Sequence, residues 1–60
     1  MVSTQTKVKQ LEGLLGTRDL TDREADFVRR LASRLAAGTL GALTDRQADW
    51  LHDLWARHFA

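Results

Sequence analysis

Sixty residues allow a single domain, spanning residues 1–60. A chain this short buries only about 60% of the surface its unfolded form exposes, so a crosslink, a metal or a partner usually has to help. There is no Cys, which excludes disulfides and thiolate metal sites, and a net charge of +1 built from both signs excludes a strongly basic nucleic-acid binder and an acidic mimic of DNA.

The longest apolar runs are a few residues, too short for a membrane span. The opening MVSTQTKVKQ has no apolar core and does not read as a signal peptide. A cytoplasmic setting is expected, and the lack of Cys suits a reducing compartment. Pro is absent, and Ala, Leu, Arg, Glu and Gln favour helix. No stretch alternates apolar and polar residues long enough to suggest a strand.

The first predicted helix runs from about Thr4 to Leu15. Val8, Leu11 and Leu15 recur at helical spacing, Leu14 stands beside them, and Gly16 follows as a stop. Gly13 falls inside this helix at a cost of about 1 kcal/mol against Ala. The second helix has sharper punctuation. Thr21 is a good N-cap, and Glu24 completes a capping box. Asp22 and Glu24 also favour the positive end of the helix dipole. Ala25, Val28, Leu31, Ala32, Leu35 and Ala36 form one apolar stripe, and Gly38 ends the helix. Thr39 to Leu43 connects to the third helix, with Gly41 giving freedom. There Thr44 caps, Gln47 closes the box, and Ala48, Leu51, Leu54, Trp55 and Phe59 form the stripe.

The second and third helices repeat each other. Leu20-Thr21-Asp22-Arg23-Glu24-Ala25-Asp26-Phe27-Val28 aligns with Leu43-Thr44-Asp45-Arg46-Gln47-Ala48-Asp49-Trp50-Leu51. Leu31 matches Leu54 and Arg34 matches Arg57 in the same register. Two units are too few for a solenoid. Either the helices share only an N-cap formula or a helix-turn unit has been duplicated; the identities past the cap favour duplication. The fold class expected is all-α: a small antiparallel three-helix bundle, made of a hairpin of two similar Thr-capped helices plus a shorter N-terminal helix. Its core is expected to be Leu11, Leu15, Val28, Leu31, Leu35, Leu51, Leu54 and Trp55.

On a helical projection, Phe27 and Trp50 fall at the same place, on the edge of the apolar stripe. They either close the core, or one of them, Trp50 first, is a binding anchor with Leu54 beside it. Trp55 and Phe59 lie nearer the stripe's middle and are expected in the core. Arg23, Arg30 and Arg34 form a basic ridge beside Phe27. That ridge is either a solvated face, partly paired through Asp26 and Arg30 at i,i+4, or a contact for phosphates or acidic protein groups.

Asp45, Asp49 and Asp53 recur four apart on the third helix. They argue against entry of that helix into a DNA groove and are expected to be solvated surface rather than a metal site. The connection before this helix is also longer than the three or four residues, roughly, of a helix-turn-helix. His52 and His58 point to different sides and make poor co-ligands. His58 is expected at a core edge or serving the helix dipole, and His52 at the surface. No nucleophile has a base and an orienting group, and there is no Gly-rich phosphate loop. A pocket of ligand size, about 300 Å³ or more, is hard to form in so short a chain. No enzyme, cofactor or metal is therefore expected.

The segment Leu43–Leu51 resembles one common in small phage and prophage proteins: Leu, then Ser or Thr, any residue, Lys or Arg, Gln, two residues, then Trp or another large apolar residue. The resemblance covers about a sixth of the chain, and twice that with the copy at Leu20–Val28. It assigns no chemistry. What it implies is a compact accessory protein of a mobile element, a kind that often blocks host machines such as CRISPR–Cas complexes. The expected function is a non-catalytic protein-binding module acting through Arg23, Phe27, Arg30, Arg34, Trp50 and Leu54. A small DNA-binding regulator using the arginine ridge and a structural homodimerisation piece are the alternatives.

Overall fold

The computed structural model describes residues 2–60. Among them are three α-helices and no strand: α1 (Thr4–Glu12), α2 (Asp22–Ala37) and α3 (Asp45–Phe59), with a turn of 3₁₀ helix at Leu40–Ala42. The all-helical three-helix class is as expected.

Helix α1 starts where the Ser3 hydroxyl accepts the Thr6 N–H at 3.2 Å. It ends earlier than its apolar spacing suggests. Gly13 is the C-cap, not an interior residue. Beyond it the N–H groups of Leu14 and Leu15 bond three residues back, to Leu11 and Glu12 at 2.9 and 3.1 Å. Gly13 gives no helix-favouring side chain, so the chain tightens into successive turns. Gly16, at φ 80°, then reverses its course.

Helices α2 and α3 begin with complete capping boxes. Thr21 and Thr44 accept the N–H of Glu24 and Gln47 at 3.2 and 3.1 Å. Glu24 and Gln47 return the favour to the Thr21 and Thr44 N–H at 2.9 and 3.0 Å. Leu20 precedes its cap at the position of a hydrophobic staple, and it and Ala25 at the staple's other end are both buried. Helix α2 ends in a Schellman motif. Gly38 adopts φ 75°, the Thr39 N–H donates to the Arg34 carbonyl at 2.9 Å, and the Gly38 N–H donates to Leu35 at 3.1 Å.

The short first helix is the wedge of the bundle. Its backbone lies closer to both α2 and α3 than those two lie to each other. Val8 and Leu11 are fully buried between them. Lys7 meets His52 at 3.1 Å, and Gln10 accepts the Trp55 indole N–H at 2.6 Å, so α1 and α3 run in the same direction. The Arg57 guanidinium reaches back to Glu24 at 2.6 Å, which sets α2 and α3 antiparallel.

Val8, Leu11, Leu20, Ala25, Phe27, Val28, Leu31, Leu40, Leu51 and Leu54 make the core. Of the expected core residues, Leu15, Leu35 and Trp55 are only half-buried and pack at its edge. Phe59 is not core: it is 40% exposed at the C-terminal end of α3, beyond the reach of the shorter α1. Ala36 and Ala48, assigned to the stripes, are exposed, and so is His58. Phe27, Leu20 and Leu40 take the burial that these residues lack.

Candidate interaction surface

Phe27 and Trp50 are equivalent in the repeat, and they stack on each other with ring centroids 4.0 Å apart and planes 22° from parallel. Phe27 is buried beneath this contact and Trp50 remains half-exposed. The pair bridges α2 and α3, whose backbones lie farther from each other than from α1. Two edge aromatics left without cover would favour a homodimer. Each ring covers the other within one chain.

The register of the repeat relates the two sides of the stack. Exchanging residue i with residue i+23 maps Phe27–Trp50 onto itself. The same exchange maps the Glu24–Arg57 ion pair onto Gln47 and Arg34, and these two do line one groove beside the stack. That groove encloses about 310 Å³. Phe27, Leu31 and Trp50 form its apolar floor, and Arg30, Arg34, Arg46 and Gln47 form its walls. A smaller hollow of about 190 Å³ adjoins it, where Arg23, Asp26 and Arg30 surround the same two rings.

The structure thus brings together Arg23, Phe27, Arg30, Arg34 and Trp50 along one seam. Leu54 does not join them at the surface. It is fully buried in the core. Arg46 and Gln47 belong to the seam and were not expected there. The repeat held the signal: once equivalent residues meet across an antiparallel pair, the start of α3 must face the end of α2.

Two of the wall residues are held by local structure. The Schellman motif fixes the backbone of Arg34, and the capping box fixes the side chain of Gln47. Arg30 pairs with Asp26 at 3.1 Å, the expected i,i+4 contact, with both side chains largely exposed. Such a pair is worth little and leaves both partners free to rearrange. Among the described residues, no carboxylate lies within ion-pair distance of Arg23, Arg34 or Arg46.

The other half of the repeat is neutralised. Glu24 uses one carboxylate oxygen on the Thr21 N–H and the other on Arg57. The Thr21 hydrogen bond, helped by Arg57 and opposed by burial, holds its carboxyl below the ordinary value of 4.5. Arg30 and Gln47 stand where the repeat elsewhere has Asp53 and Glu24. Positive charge is therefore concentrated on one side of the stack.

Two wider hollows occur, of about 590 Å³ beside His52, Asp53 and Arg57 and about 400 Å³ between Gln5, Leu35 and Leu43. Depressions of ligand size thus form despite the short chain. The first lies along the surface of α3 alone and the second between α1, the end of α2 and the 3₁₀ turn, and neither is an enclosed chamber. On α3, Asp45, Asp49 and Asp53 are exposed, and no metal-ligand cluster occurs among the described residues. Among the described residues, no helix is long and apolar enough to cross a membrane. A second aromatic contact, where Lys7 sits 5.4 Å from the Trp55 ring centroid, fastens α1 to α3.

No family model, curated protein or solved structure matches the chain.

Proposed function

We propose that this chain is a non-catalytic protein-binding module that works through the seam between α2 and α3. The observation that carries the reading is the groove itself. An apolar floor with a half-exposed Trp sits between arginine walls, of which Arg34 and Arg46 have no carboxylate within ion-pair distance among the described residues and Arg30 has only the exposed Asp26. Trp and Arg are the side chains most enriched at binding hot spots, because they bury much area or make several directed hydrogen bonds. A cytoplasmic partner fits the absence of Cys. The resemblance of Leu43–Leu51 to phage and prophage accessory proteins supports a finer version, in which the partner belongs to a host defence complex such as CRISPR–Cas.

The test compares three immobilised chains exposed to lysate: wild type, Trp50→Ala and Arg46→Glu. Arg46 is exposed and lies outside the core, so its charge reversal leaves circular dichroism unchanged and separates lost binding from lost folding. A protein retained by the wild type and lost from both variants is expected. Identical retention by all three would refute the reading. Retention of duplex DNA by the wild type, falling steeply with salt, would replace it with nucleic-acid binding.

A further inference from the structure

Glu24 and Gln47 occupy the same place in the two halves of the repeat, and both use their Oε1 atom to accept the N-cap N–H, at 2.9 and 3.0 Å. The chemistry of the other terminal atom then differs. In Glu24 it is a carboxylate oxygen, and it accepts from Arg57 Nη2 at 2.6 Å. In Gln47 the Thr44 N–H forces the amide oxygen inward, so the remaining atom is the NH₂ nitrogen, which can only donate. The residue equivalent to Arg57 is Arg34, which lines the same groove as Gln47. Two donors therefore line one groove where the other half has an ion pair.

We infer, resting on the proposed binding role of this groove, that its partner is an acidic protein segment that places a carboxylate between Arg34 and the Gln47 amide, with an apolar side chain of the same segment against Trp50. The partner's carboxylate takes the position that Glu24 Oε2 holds in the other half of the repeat. Arg46 adds a second positive wall, and Arg30 can turn from Asp26 because that pair is exposed. A guanidinium and an amide NH₂ side by side match a carboxylate, whose two oxygens each accept. Phosphodiesters share the charge. The exposed carboxylates of Asp45 and Asp49, on the same helix as Arg46, oppose a long polyanion more than one short acidic segment.

Gln47→Glu tests this within the intact chain. The variant keeps a side chain that closes the cap, since Glu24 does so in the same geometry, and it supplies Arg34 internally. The probe is a capped dodecapeptide of Glu and Leu, with Leu at every third or fourth position, titrated into labelled protein and followed by NMR. The expected result is movement of the Trp50 indole and Gln47 amide signals, with binding weakened about tenfold by Gln47→Glu, as loss of a charge-assisted hydrogen bond implies. Replacing the peptide's Glu by Gln should weaken binding by a similar factor. No binding at millimolar peptide overturns the inference. Equal binding by Gln47→Glu overturns it too. If acidic and neutral peptides bind alike and Trp50→Ala removes both, the groove still binds protein and only the carboxylate placement fails. Displacement of the peptide by a short DNA duplex at lower concentration would assign the site to phosphates instead.

Discussion

Glu24 joins a local and a distant requirement in one side chain. It caps α2 and, through Arg57, ties α3 to it. The carboxylate side chain is 13% exposed while Arg57 is 59% exposed, so the pair is partly screened. Glu24→Gln keeps the cap and loses the ion pair, and should cost up to about 1 kcal/mol at neutral pH. The folded state holds the Glu24 pKa below its ordinary value, chiefly through the Thr21 hydrogen bond. A depressed carboxyl contributes its full stability above the unfolded value and loses it as pH falls through the folded one. The melting temperatures of wild type and Glu24→Gln should therefore converge as pH drops below about 4.5. A constant gap across that range would show that the carboxylate charge contributes nothing. The sequence shows the cap at Glu24, because capping needs only neighbours. It does not show Arg57, which stands 33 residues away.

At the scale of elements, the punctuation decides where helices stop. Gly38 sits at φ 75°, where an L side chain is strained, and Gly41 has an ordinary φ with open space around its missing Cβ. Gly38→Ala should destabilise by about 1–2 kcal/mol, and Gly41→Ala should be neutral or stabilise by up to about 1 kcal/mol. Urea unfolding followed by circular dichroism separates them; equal effects would mean the Schellman turn does not limit α2. These stops also place the groove. If α2 ran past Gly38, the 3₁₀ turn could not return the chain to bury Leu40 and bring Gln47 into the groove that Arg34 lines. The end of α1 was harder to read. Apolar spacing continues through Leu14 and Leu15, and both stay half-buried, but in turns rather than helix. Periodicity reports which residues face inward, not which hydrogen-bond pattern carries them there.

For the whole molecule, size is the controlling quantity. At roughly 0.05–0.15 kcal/mol per residue, the chain has about 3–9 kcal/mol of stability in total. Leu54 is fully buried, and its truncation to Ala should remove about 2–5 kcal/mol. Leu54→Ala should lower the melting temperature by at least about 10 °C or abolish cooperative melting. Phe59→Ala, at a residue 40% exposed, should cost less than about 1 kcal/mol. Similar losses at the two sites would mean the core extends to the C-terminal end, contrary to the observed burial. Because Trp50 covers Phe27 and α1 fills the space between the longer helices, one copy already buries most of its apolar stripes.

The local grammar was legible without coordinates: two Thr caps, the Gly38 stop, the apolar stripes, the repeat and the arginines beside Phe27. Each of these depends on residues within a few positions of one another, where helix geometry fixes who meets whom. The tertiary structure alone decided that the short α1 is the wedge, that Phe27 turns inward while Trp50 stays half-open, and that Arg34 shares a groove with Gln47 and has no carboxylate within ion-pair distance among the described residues. Those outcomes depend on the angle and spacing between helices. Such quantities follow from how all three apolar faces pack together, and no single helix encodes them.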